Sequence, residues 1–437
     1  MEREDKIRWS RAVRPGAPGS RTTRLELFYD LVFVFAFLNV TDLTAADLSW
    51  QALFRCVLVL ALLWWCWSGF AALGNAVRTD QGTIPLVGFV TTAAVFVLAL
   101  AIPSAFVEIP GGLHGPVVFA ACYFLVRVLQ VGVFGWVVRS DPDLRQRWLL
   151  LLGPVLIATA LLVVAGLVPQ RVADGGAERP LRLVIWLVAI GVEYGAGLAL
   201  PGTGWTVISA GHWAERHALI VLIALGESII SLGLGPELVS GLPLTAPVVV
   251  AAVVGIAIVA VLWWAYFDSL ALGVEQALHR ARMPAARAAL ARNAYTYLHL
   301  PMVAGVILFA LALKRLLHTV SDPDTPPWGA SLPVIEVVSL YGGVILYLAA
   351  LAVLGAVATR NVRWPPVTAV AVLIPLITLA HRLPGLVALV LLATVCALLL
   401  VVQLVADAPN RRTVRETALQ EQLAAEAEQT EWRRRYL

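Results

Sequence analysis

The sequence predicts an all-α integral membrane protein, and three observations predict it. Of 437 residues, 60% are hydrophobic and only 14% charged, with a mean hydropathy of +0.83, whereas soluble domains run near a quarter charged. Apolar runs of roughly 18 to 25 residues recur along the chain, each long enough to cross a ~30 Å hydrocarbon layer as a helix. The runs are continuously apolar and do not alternate with period two, which excludes a transmembrane barrel.

About 12 transmembrane helices follow, at 25–43, 51–77, 84–107, 115–138, 147–168, 181–200, 214–234, 244–267, 294–317, 333–357, 365–380 and 384–406. The first 24 residues are basic and polar, and the apolar run after them lacks a small-residue cleavage site, so the first span reads as a retained helix and not a signal peptide. The later spans are bounded by Pro, Gly and charged residues, and the fifth and eleventh carry Pro154 and Pro375. An even number of crossings puts both termini on one side. With the N-terminus inside, the inside segments collect the basic residues of 1–24, then Arg78, Arg139, Arg145, Arg147, Arg280, Arg282, Arg287, Arg292, Arg360 and Arg363, and the tail arginines. Outside loops hold Arg171, Arg179, Arg182, Lys314, Arg315 and Arg382. The positive-inside rule then makes both termini cytoplasmic, in the cell membrane. The tail has the mixed-charge pattern of a solvated helix lying near anionic headgroups. Cys56, Cys66, Cys122 and Cys396 all fall inside apolar runs and read as small buried hydrophobes.

An internal repeat is expected. "WWCWSGFAALGN" from Trp64 and "WWAYFDSLALGV" from Trp263 keep Trp-Trp and Ala-Leu-Gly in register, and "IPLVGFV" from Ile84 matches "LPMVAGV" from Leu300. The expected organisation is a basic N-terminal segment (1–24), two six-helix repeats (25–200 and 201–406) and a charged helical tail (407–437). Six crossings per half give two parallel six-helix repeats related by an axis along the membrane normal, and transporters built from repeats place their site where the halves meet.

Ionisable groups at membrane depth cost roughly 2.5–3.5 kcal/mol each and therefore face a partner or a cavity. Glu26 and Asp30 lie one turn apart behind Arg24 at the start of the first span. Glu26 suits a helix N-terminus; Asp30, deeper, reads as a cytoplasmic-side gate or ion contact. Arg127 shares a face with Tyr123, Gln130 and Phe134. Glu193 lies between Gly191 and Gly195, a small-residue spacing that allows close helix contact. Arg127 and Glu193 either pair to tie the fourth and sixth spans together or shape a path. Glu227, flanked by Gly226 and Ser228, has Arg216 as its nearest same-face base, about three turns away, and is the candidate proton- or ion-binding group. Glu336 sits near the outer end of the tenth span. His299, just before Pro301, reads as a packed histidine or a ligand.

Absent motifs also narrow the field. There is no Walker A loop, no G-x-G-x-x-G, no H-E-x-x-H, no G-x-S-x-G and no metal-spaced His/Cys cluster. No cofactor, no metal and no catalytic residue is expected, so the chain does not read as an enzyme. The partners expected are the lipid bilayer and a small solute or ion, not nucleic acid.

Three motifs carry a resemblance. "RTTRLELFYDLVFVFAF", "ERHALIVLIALGESII" from Glu215 and "YLHLPMVAGVIL" from Tyr297 resemble the signatures of the bacterial low temperature requirement A (LtrA) family, from about Arg21 to about Val405. The resemblance implies a polytopic membrane protein, with Glu26, Phe28 and Asp30 in its first motif, Arg216, Gly226, Glu227 and Ser228 in its second, and His299, Pro301 and Gly305 in its third. A shorter likeness places Arg24, Phe28 and Asp30 on the R-x-x-x-F-S-D spacing of lysosomal-type potassium channels, with Tyr29 in place of serine; in the second half Arg216 is followed by Ile220 and Leu222 at the corresponding places. The leading expectation is an ion-coupled secondary transporter or permease, with Glu227 and Asp30 carrying coupling ions. The alternative is a cation channel of 6+6 build. A membrane-embedded enzyme acting on lipids, using His299, Tyr295, Asp268 and the basic loop Ala277–Asn293, ranks last.

Overall fold

The computed structural model describes residues 20–107, 111–139, 142–172, 176–199, 207–233, 245–322, 324–326, 328–360 and 362–436; residues 1–19 of the expected basic segment lie outside these. The described residues are helical, with no strand. In chain order the helices are α1 (Arg24–Ala46), α2 (Trp50–Ala76), α3 (Ile84–Leu100), α4 (Gly115–Val137), α5 (Pro142–Leu167), α6 (Glu178–Ala199), α7 (Ala210–Gly233) and α8 (Ala246–Phe267). Then come α9 (Leu270–Arg280), α10 (Pro284–Leu290), α11 (His299–Ser321), α12 (Val334–Thr359), α13 (Trp364–Ala380), α14 (Gly385–Ala406) and α15 (Ala408–Tyr436).

Ten segments among the described residues are long and apolar enough to cross a membrane. The expected count of twelve differs from this at α3 and α13, which are apolar but only 17 residues each, about 26 Å at the helical rise. The span expected at 84–107 ends early because Pro103 follows, and the chain turns through a single 3-10 turn, Ile102–Ser104. The span expected to begin at 294 has that residue inside a π-helical turn, Ala291–Tyr297, that leads into α11. Such wide turns are frequent at functional sites.

Local chemistry explains the starts. Thr23 caps α1 in a reciprocal box with Glu26, Ser49 caps α2, and prolines open α3, α4, α8 and α13, where a missing N–H costs nothing. Two segments lie deepest: 83% of the most apolar stretch of α2 and 72% of that within Pro284–Ser321 are buried, against 28% for α5 and α6. α1 packs on α2, α3, α7 and α11, and α7 packs on α1, α8, α9 and α11. α1 and α7 therefore meet at the centre, with α4–α5–α6 on one flank and α12–α13–α14 on the other.

The closest helix crossing joins α11 to α12. A Cβ on Gly305 would stand 2.6 Å from the Gly343 carbonyl oxygen, and one on Gly343 would stand 2.6 Å from the Phe309 nitrogen. Only glycine lets these backbones touch. The close contact that the spacing of Gly191 and Gly195 allows is not made there: a Cβ on either meets open space. Outward-facing positions carry Leu31, Leu86, Phe89, Val253, Leu398 and Val401, each more than half exposed. An apolar exterior of this kind faces lipid and not water, so the chain is a multi-pass membrane protein.

Candidate functional site

The buried charges collect where α1 meets α7. Thr23 caps α1 and Ser209 caps α7 in the same manner, each hydroxyl accepting from the backbone N–H three residues on. One turn in, Glu26 Oε1 lies 2.9 Å from His212 Nε2. Asn75 fixes that histidine: its side-chain N–H₂ lies 3.3 Å from His212 Nδ1 and donates to the Ser209 carbonyl at 2.7 Å. A donating Asn75 leaves Nδ1 as acceptor, so Nε2–H donates to Glu26. One turn deeper, Arg216 donates to both oxygens of Asp30, at 2.6 and 2.8 Å. Trp67 Nε1 adds a third bond to Asp30 at 2.9 Å, and the guanidinium sits 5.5 Å over the Trp67 ring. Arg216 is fully buried and Asp30 is 1% exposed.

These partners are register equivalents. Glu26 and His212 are separated by 186 residues in sequence, and so are Asp30 and Arg216. The same separation relates the two caps and sets Thr41 against Glu227 further along the seam. α1 and α7 thus present complementary residues at equal register.

Glu227 stands apart. Its Oε1 accepts from Ser231 at 2.6 Å, whereas Oε2 and the neighbouring Thr41 hydroxyl make no hydrogen bond. Arg216, three turns away along α7, is engaged by Asp30. Among the described residues, every other buried carboxylate has a basic partner: His212 for Glu26, Arg216 for Asp30, Arg127 for Glu193, Arg315 for Glu336, and Arg411 with Arg415 for Asp268. Asp268 is thereby tied to α15.

Arg127 and Glu193 form a second cluster among α2, α4 and α6. Arg127 donates to Glu193 at 3.2 and 3.1 Å, and Tyr123 and Trp65 each donate at 2.7 Å, which fills both carboxylate oxygens. Gln130 accepts from Arg127 and donates to the Cys66 carbonyl. This pair joins α4 to α6 and borders a cavity of about 110 Å³ that Ser68 and Gly69 also line. The Ser68 hydroxyl has no partner.

His299 is packed and hydrogen-bonded. Its Nδ1 meets the Ala294 carbonyl in the π-helical turn at 2.9 Å, and its Nε2 meets the Tyr266 hydroxyl at 2.9 Å. Beside it lies His217, which sequence reasoning passed over. Its ring is enclosed by Trp67, Trp213, Tyr295 and His299, with centroids 4.9 to 5.3 Å away. Nδ1 meets the Trp213 carbonyl, and Nε2 has no partner. His212, Asn75 and Trp67 were also missed. The available signal was the spacing of His212 and Arg216, which mirrors that of Glu26 and Asp30. No group of three metal-ligating side chains forms among the described residues.

Two comparisons bear on this arrangement. The family model for the bacterial low temperature requirement A protein (LtrA) matches residues 21–402. An uncharacterized protein of Rhizobium meliloti (strain 1021) is 29% identical over 294 residues, which are 65% of this chain and 67% of that relative.

Proposed function

The chain belongs to the bacterial low temperature requirement A family, and from that premise we propose that it is an ion-coupled secondary transporter of a small solute. In this reading it consists of two parallel six-helix halves in the cytoplasmic membrane, with both termini inside, and catalyses no bond-making step. The observation that carries the reading is Glu227, a fully buried carboxylate with no basic partner. An uncompensated buried charge costs several kcal/mol, so Glu227 calls for a counter-charge from outside the protein. A proton or a cation supplies it, and release on the other side couples that ion to movement of the halves.

The seam supports the rest. α1 and α7 meet at the centre at equal register, and three packed pairs support two like halves: α1–α3 beside α7–α11, α4–α5 beside α12–α13, and α5–α6 beside α13–α14. Glu26–His212 and Asp30–Arg216 bridge the two halves, as contacts that alternate between states must. The same facing of α1 and α7 favours a second reading, a cation channel lined by the first helix of each half, with Asp30–Arg216 as its closed constriction.

Proton and monovalent-cation flux in proteoliposomes of the purified protein, beside Glu227→Gln and Asp30→Asn, tests both readings. Saturable flux that folded Glu227→Gln lacks supports the transporter. Unitary currents in planar bilayers favour the channel. Absence of ion movement under any gradient removes both.

A further inference from the structure

At the arginine-rich end of the bundle lies a second, larger cavity of about 920 Å³, framed by α9, the end of α12, the start of α13, and α15. It is distinct from the seam. Its lining includes Arg280, Arg360 and Arg363 against a single carboxylate, Asp407, which Arg363 engages. Arg280 and Arg360 form no ion pair with a described residue, so the cavity keeps a surplus of positive charge. Arg280 also borders an adjoining cleft with Arg282, His279 and Glu421, where the cations again outnumber the acid.

Arg360 adds a second, independent observation. Its φ of 56° is the only positive value for a non-glycine among the described residues. It caps the C-terminus of α12 in the left-handed conformation that glycine normally takes. A strained backbone kept at a functional cavity, where glycine would relieve it, indicates that the side chain is used.

The rim on the other side is apolar. Val357, Val362 and Trp364 are 40%, 62% and 53% exposed, in the position where an aromatic belt meets lipid. α15 covers the cavity from outside, held by Asp268 to Arg415 at 2.5 Å and by Gln276 to the Val414 carbonyl at 3.1 Å. A basic hollow with an apolar rim at a membrane surface matches one molecule on both sides. The charged part takes a phosphate, which arginines grip through paired N–H bonds, and the rim lies beside acyl chains.

We propose that this cavity binds the headgroup phosphate of an anionic phospholipid from the surrounding leaflet, held by Arg280, Arg360 and Arg363. The test is native mass spectrometry of the full-length protein in detergent, titrated with phosphatidylglycerol, phosphatidylcholine or inorganic phosphate. Phosphatidylglycerol is retained in preference to phosphatidylcholine, and an equal concentration of inorganic phosphate does not displace it. Each arginine removed weakens retention about fivefold, so Arg280→Gln with Arg360→Gly loses about thirtyfold. Arg360→Gly alone, which relieves the backbone and removes only the charge, loses about fivefold with an unchanged elution profile, and decides the matter if the double variant does not fold. Equal retention by the variants, or equal retention of phosphatidylcholine, overturns the proposal. Displacement by inorganic phosphate overturns the lipid as its occupant and assigns the site to a soluble anion.

Discussion

Arg216→Met removes the guanidinium that holds Asp30 at 2.6 and 2.8 Å, at a place where neither group reaches solvent. Asp30 keeps one donor, Trp67, and is left a buried anion without a counter-charge. Breaking a buried pair from one side costs about 3–5 kcal/mol, and loss of the guanidinium over Trp67 adds about 0.5–1 kcal/mol. Asp30→Asn breaks the pair from the other side and strands the cation at a similar cost. The double variant removes both charges, keeps an amide to accept from Trp67, and costs about 1–2 kcal/mol. The two changes therefore couple by at least about 3 kcal/mol. Equilibrium unfolding of the four proteins in mixed micelles measures the cycle. If the single effects add within about 0.5 kcal/mol, the pair does not hold α1 to α7 and the account of the seam is wrong.

Three glycine substitutions read the packing. Gly74→Ala places a methyl where Glu26 Oε1 now lies, with His212 Cε1 3.5 Å away; displacement of the carboxylate breaks the cap box and the histidine contact and costs about 2–3 kcal/mol, seen as early unfolding. Gly191→Ala faces open space, so it stabilises by about 0.5–1 kcal/mol; a loss of stability instead returns Gly191 to a helix interface. Gly305→Ala drives a methyl against the Gly343 carbonyl and costs about 3 kcal/mol or more by forcing α11 from α12, and a folded variant of full stability contradicts that crossing.

Much of the scaffold was legible because lipid imposes a simple grammar of long apolar helices. Where the reading slipped, a local rule prevailed: Pro103 shortened α3. The depth of Asp30, Arg127, Glu193 and Glu227 was readable from neighbours in sequence, and so was the pairing of Arg127 with Glu193, but the surroundings of Asp30 and Glu227 were not. Asp30 reaches a base 186 residues away, and nothing local distinguishes that base from one three turns along the helix. The register of α1 with α7 was hidden for a physical reason. Facing positions across a seam must complement each other, so Glu meets His and Asp meets Arg, and a search for identity finds no match there. Gly191 and Gly195 mislead in the opposite sense, since small-residue spacing permits a close crossing without requiring one.

The most direct measurement is infrared difference spectroscopy of the protein in lipid, stepping pH and then monovalent-cation concentration, with Glu227→Gln alongside. The account predicts a buried carboxyl band that changes with proton or cation and is missing from Glu227→Gln. A spectrum without such a band, or the same band in both proteins, contradicts Glu227 as the ion-binding group.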